Sequence, residues 1–212
     1  MVATWIADVS PLMDSARYER LRSLAPLWRR NKADRIRFAD GRALSIGAWT
    51  LWEKMKKEYA LNDQAVFNLS HSGSYVMCSC ETEKVSEAKV GCDIQKIEKL
   101  RLNLAKRFFC ENEYHSILSI EDEDEQRDLF YRYWVLKESF AKATRQGLKI
   151  GLDRFEIGLS PDCNPVLLCQ PKEIREQYYY KEYKVDGLPY KLAVCATDNE
   201  FAGKLSVFSL IR

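Results

Sequence analysis

Long apolar runs, regularly spaced cysteines and a strong net charge are all missing from this chain of 212 residues. No stretch approaches the roughly 18 consecutive apolar residues of a membrane-spanning helix, which excludes that class of membrane protein. The opening MVATWIADVS lacks a basic segment followed by a long apolar one, so it does not read as a secretory leader. A cytoplasmic location is the expectation. The seven cysteines are odd in number and irregularly placed, and no CxxC pair exists, which argues against a disulfide framework. Cys78 and Cys80 have no matching second pair with which to complete a zinc site. They read instead as small apolar residues of a reduced compartment. A net charge of +2 gives no support to nucleic acid as a partner. Low-complexity segments, short repeats and long flexible linkers are absent too.

What remains is an ordinary globular composition, 46% hydrophobic and 30% charged, in a chain long enough for one core or two closely joined ones. Charge is local. Arg and Lys are dense from Arg17 to Lys57, and Glu121–Glu125 is acidic; solvated helix faces account for both. Thr4–Val9 reads as an opening strand. Helical patterning follows from about Asp14 to Tyr59, with interruptions expected at Pro26 and at Asp40-Gly41. Val66–Ser70, Tyr75–Cys80 and Lys89–Ile97 read as strands. Helices are expected over Leu102–Phe109, Glu111–Leu118 and Glu123–Thr144, the last stopped by Gly147. Strands return at Phe155–Leu159, Tyr178–Val185, Lys191–Ala196 and Lys204–Leu210, with Asp186-Gly187 as a hairpin turn. This order predicts an α+β protein of two similar halves, residues 1–90 and residues 91–212.

Three segments place charged or polar groups unusually. In the strand Lys89–Ile97, period two puts Gly91, Asp93 and Gln95 on one face. That face is either the polar exterior of a half-exposed strand or a pair of oxygen donors converging on a hard cation. Magnesium takes one or two carboxylates and fills its remaining positions with water and substrate phosphate. Gly91 gives room for a ligand to approach the backbone. On the Glu123–Thr144 helix, Trp134, Glu138 and Lys142 share one i,i+4 stripe, and Tyr133, Lys137 and Ala141 share another. A partly buried Glu138 needs a cation or good donors. Either Lys142 supplies the charge, or Glu138 holds a metal and Lys142 a phosphate that the metal also touches. The third segment, FNLSHSG at Phe67–Gly73, ends a strand in a Ser-His-Ser-Gly turn. Adjacent Ser70 and His71 diverge on an extended chain and form no nucleophilic triad, but such a turn suits an anion. The other histidine, His115, reads as a solvated helix residue.

In this order, Ser70–Gly73, Gly91–Gln95 and Trp134–Lys142 resemble the surfactin-type 4′-phosphopantetheinyl transferases, whose pattern is a Ser-His-Ser-Gly turn, then G-x-D-x-E, then W-x-x-K-E-[SA]-x-x-K. The similarity extends to AKRFF at Ala105–Phe109, to Glu113, and to YKLAVCA at Tyr190–Ala196. It implies two α+β halves about a pseudo-twofold axis, with coenzyme A between them. It also implies transfer of phosphopantetheine to a serine of an apo acyl or peptidyl carrier protein, dependent on magnesium. By this resemblance Asp93, Gln95 and Glu138 are metal ligands, and Glu138 and Lys142 are catalytic. Lys142, Lys137, Ser70, His71 and Arg42 contact coenzyme A, with Arg30 and Lys32 as weaker candidates. A monomer is expected, with neither nucleic acid nor membrane as partner. Two departures stand out. Gln95 replaces the second glutamate of G-x-D-x-E, and the family's Gly-Lys-Pro stretch before the histidine turn is not found in residues 57–66. They keep open a non-catalytic coenzyme A-binding or carrier-docking module. A magnesium-dependent phosphohydrolase is the remaining rival.

Overall fold

The structure is a computed structural model and describes residues 1–83, 87–160 and 163–211. The first half runs β1 (Val2–Asp8), α1 (Ser15–Leu24), α2 (Leu27–Asp34), α3 (Ala39–Glu58), β2 (Phe67–Ser72) and β3 (Tyr75–Glu81). The second runs β4 (Val90–Lys96), α4 (Leu102–Phe108), α5 (Glu111–Leu118), α6 (Glu123–Ala143), β5 (Glu156–Ser160), β6 (Cys163–Cys169), β7 (Tyr179–Tyr183) and β8 (Tyr190–Ala196), and is followed by β9 (Ser206–Phe208).

The same connection occurs twice. β1 leads through α3 to β2 and β3, and β3 lies between its two antiparallel partners β2 and β1. β4 leads through α6 to β7 and β8, and β8 lies between β7 and β4, again antiparallel. This repeat of connectivity is the α+β arrangement of two similar halves that the sequence suggested. Each half buries the apolar stripe of one long helix on its sheet. α3 contributes Ile46, Leu51, Trp52 and Met55 to one core, and α6 contributes Phe130, Leu136 and Phe140 to the other. The tail crosses back: β9 pairs in parallel with β1 beyond the second half's own sheet.

Several boundaries moved for local reasons. Asp40-Gly41 does not interrupt a helix. It lies in the first turn of α3, where the Asp40 carboxylate favours the positive helix end, and the break falls earlier, at 35–38. The acidic run likewise opens α6: Asp122 is the N-cap, accepting from the amides of Asp124 and Glu125. The left-handed residue just past that helix is Arg145, at φ 58°, two positions before Gly147. The strand β6 went unread in the sequence, because Pro165 demotes the run. The supposed histidine turn is mostly strand. Ser70 and His71 lie within β2, and the tight turn into β3 is Gly73-Ser74, with Gly73 at φ 55°.

Gly91 has a different use from the one expected. A Cβ there would fall on the Ser139 carbonyl oxygen and the Ala143 amide, so the space is filled by the backbone of α6 and not by a ligand. Gly91→Ala should therefore push α6 away from β4, at a cost of about 1–3 kcal/mol. A thermal melt reads this directly, and an unchanged midpoint would show that the helix yields freely.

Candidate active site

β4 and α6 meet face to face because Gly91 allows it, and this contact brings Asp93 to the stripe of Glu138 and Lys142. Asp93 is 6% exposed. Its Oδ1 accepts from the Lys142 ammonium at 2.7 Å and from the Ser70 hydroxyl at 2.8 Å. Its Oδ2 is buried and meets no hydrogen-bond donor. An unsatisfied buried carboxylate oxygen is costly unless a cation completes it. Glu138 is half-buried and makes no hydrogen bond or ion pair among the described residues. Its pKa is raised from the ordinary carboxylate value, first by desolvation and then by the charge of Asp93, with Lys142 opposing. A half-buried Glu138 made costlier by the charge of Asp93, which itself keeps a buried free oxygen, fits a hard divalent cation. No cluster of three or more His, Cys, Asp or Glu suited to a metal occurs among the described residues. Such a cation would have to draw on water and substrate oxygens as well, which is magnesium's habit.

The three donors of Lys142 are all occupied: besides Asp93 it reaches the Ser70 hydroxyl at 2.9 Å and the Cys92 carbonyl at 3.0 Å. Burial works against its charge, but Asp93, Cys92 and Glu138 together outweigh this and the ammonium pKa is raised. Ser70 is thus joined to Asp93 and Lys142. His71, next to it, is exposed and points out of the same strand. Its pKa is lowered, by desolvation first and then by the positive fields of Lys142 and Lys32. Gln95 shares the Asp93 face at partial exposure, and its amide makes only a long contact to the Lys96 carbonyl, at 3.4 Å.

Two residues expected here are not brought to the cluster. Lys137 is fully buried in the second core, where it pairs with Glu113 at 2.8 Å and donates to the carbonyls of Leu152 and Phe155, each at 2.7 Å. Its helical stripe runs through Tyr133 and Ala141, which are also buried, so it faces the interior while Glu138 faces the cleft. Arg42 donates to the carbonyls of Ile36 and Arg37 at 3.1 and 2.9 Å, closing the loop before α3. No hydrogen bond or ion pair joins it to Asp93, Glu138 or Lys142 among the described residues. Arg30 has a buried Nε without a partner. Sequence reasoning gave Glu113 no role beyond resemblance and passed over Asn68 and Ser72, although alternate polar residues along FNLSHS were a visible signal.

Residues 89–195 match the family model described as the 4′-phosphopantetheinyl transferase superfamily. A 4′-phosphopantetheinyl transferase of Bacillus subtilis is 39% identical over 145 residues, which is 68% of this chain and 61% of that protein. Another from Bacillus pumilus is 30% identical over 211 residues, covering 89% of this chain and 87% of its own length. The human L-aminoadipate-semialdehyde dehydrogenase-phosphopantetheinyl transferase is 37% identical over 134 residues, 57% of this chain and 42% of that protein. The chain thus spans about three fifths of the length of the Bacillus subtilis relatives it matches. The G-x-D strand and the W-x-x-K-E helix both fall inside the matched residues, and they are the two elements that build the carboxylate cluster. The chain belongs to the 4′-phosphopantetheinyl transferase superfamily.

Proposed function

We propose that this protein transfers the 4′-phosphopantetheine group of coenzyme A to a serine hydroxyl of an apo acyl or peptidyl carrier protein, releasing adenosine 3′,5′-bisphosphate. The observation that carries this reading is the buried Asp93 oxygen without a donor, in the field of a half-buried Glu138 that makes no hydrogen bond or ion pair among the described residues. Asp93 and Glu138 hold the magnesium ion, with Gln95 beside them offering a neutral amide oxygen. When bound, magnesium supplies Lewis-acid neutralisation of the pyrophosphate charge.

Glu138 takes the proton from the incoming serine hydroxyl. It is half-buried in the cleft and makes no hydrogen bond or ion pair among the described residues, which leaves an oxygen free to accept that proton. The serine oxygen bonds to the phosphorus on the pantetheine side, and the bond from that phosphorus to the adenosine bisphosphate oxygen breaks. Lys142 holds Asp93 in place, and to bind the pyrophosphate it must give up one of its three internal acceptors. His71, exposed beside the positive fields of Lys32 and Lys142, forms the nucleotide edge together with Arg30 and Lys32 of α2 and Arg42 of α3. The basic surface of the first half steers an acidic carrier by raising its on-rate. We place the enzyme in the cytoplasm as a monomer; no helix of the described residues is long and apolar enough to cross a membrane.

Incubation with coenzyme A, magnesium and a panel of apo carriers, followed by weighing of the carriers, tests the assignment. One carrier should gain a single phosphopantetheinyl group. Release of phosphate with no carrier gaining mass would instead indicate a hydrolase. Within the same assay, Gln95→Glu should lower the magnesium midpoint by about tenfold, equivalent to about 1.4 kcal/mol. An unchanged midpoint would place residue 95 outside the ion's reach.

A further inference from the structure

β2 is the edge strand of the first sheet and β4 the edge strand of the second, and they run side by side without a backbone ladder between them. Side chains take its place. The Cys92 amide donates to Asn68 Oδ1 at 3.1 Å, the Ile94 amide to Ser70 Oγ at 3.3 Å, and the Lys96 amide to Ser72 Oγ at 3.0 Å. Each rung advances by two residues on both strands, so one face of β2 presents three acceptors to three successive inward amides of β4. The Cys92 thiol adds a contact to the Asn68 carbonyl at 3.3 Å. Only the middle rung continues into the carboxylate cluster: the Ser70 hydroxyl donates its proton to Asp93 Oδ1 and accepts from Lys142. Ser70 is 6% exposed, which leaves it little surface to offer a nucleotide.

We propose that Ser70 is a positioning residue for the metal ligand Asp93, and that Asn68 and Ser72 are clamps that hold β4 at the distance where it can act. The Ser70 hydroxyl and the Lys142 ammonium both occupy Oδ1. They fix the carboxylate rotamer so that Oδ2, the oxygen without a donor, faces the cation. The clamp residues act further out, by fixing the 91–92 and 95–96 peptide planes of β4 before and after the segment that carries Asp93. Hydrogen bonds that orient a ligating carboxylate typically affect metal affinity by about 10–100-fold. This inference rests on the proposed metal site, and it reassigns Ser70 from coenzyme A contact to metal support.

The test uses manganese alone, in the absence of coenzyme A, with binding followed by the loss of its electron paramagnetic resonance signal. Ser70→Ala should weaken binding by about 10–100-fold. Ser70→Thr, which keeps the hydroxyl on a strand that favours a β-branched residue, should restore it to within about twofold. Ser72→Ala should weaken binding less than Ser70→Ala does, and Ser72→Thr should rescue it. Thermal midpoints measured in parallel identify any variant that fails to fold, and the threonine pair keeps the comparison decisive if an alanine variant does. A residue that touched only the nucleotide would leave metal-only binding unchanged. Unchanged binding in a folded Ser70→Ala, beside a wild type that binds manganese, overturns the positioning role and leaves the proposed function standing. A wild type that binds no manganese, with or without coenzyme A, overturns both.

Discussion

Replacing Lys137 with alanine is expected to destabilise the protein by about 3–5 kcal/mol, the usual cost of removing one partner of a buried ion pair. Glu113 is 1% exposed, and its carboxylate already accepts from the amides of Ile157 and Cys110, both at 2.9 Å. These two bonds tie the start of β5 and the cap of α5 to one side chain. Loss of the ammonium leaves the charge without a counter-ion in a core that also holds Phe109 and Phe155. Lys137 lies over the rings of both, at 5.8 and 4.3 Å. At this chain length the melting temperature should fall by on the order of ten degrees. Urea unfolding gives the free energy, and calorimetry gives coenzyme A affinity in the fraction that remains folded. A phosphate-binding lysine would show the opposite pattern, with stability intact and affinity lost.

The second large effect is expected at Glu138. Its pKa is raised by desolvation, so the charged form is disfavoured in the folded state and stability declines as pH rises above the ordinary carboxylate value. At neutral pH the group therefore opposes folding. Glu138→Gln should remove this cost, leaving the melting temperature unchanged or higher in buffer without metal. Transfer to a carrier serine should nevertheless fall by about 10²–10⁴-fold, because the proton acceptor and one metal-binding charge are lost together. Magnesium should raise the melting temperature of the wild type, since it binds only the folded site, and should have little effect on Glu138→Gln. Normal turnover in Glu138→Gln would refute the assignment of the base.

Both effects concern neighbouring residues on one helix, and they show where sequence reading stops. Periodicity along α6 separates two stripes, and each was visible from the residues. It does not say which stripe meets solvent. Tyr133 and Trp134 serve equally well as core anchors, so Lys137 and Glu138 could have exchanged places without altering the pattern. Packing decides: Lys137 is enclosed with Glu113 of α5 and the backbone before β5, whereas Glu138 stays half-buried on the side facing Asp93 of β4. The motif W-x-x-K-E thus joins an interior strut to a cleft carboxylate. Lys142 is a further case: its place in the stripe was visible, but its three internal acceptors, Asp93, Ser70 and the Cys92 carbonyl, were not.

From the sequence alone came the order of helices and strands apart from β6, the period-two face carrying Gly91, Asp93 and Gln95, the hairpin at Gly187 and the family. All of these depend on intervals of a few residues or on a linear pattern. The pairing of β2 with β4 across 24 positions, as between Ser70 and Ile94, was decided only by the folded chain, as were the burial of Lys137 and the closure of α6 over Gly91. Such contacts arise because two sheets built from distant segments must cover each other's edges. The residues that satisfy those edges carry no mark of it in their own neighbourhood of the chain.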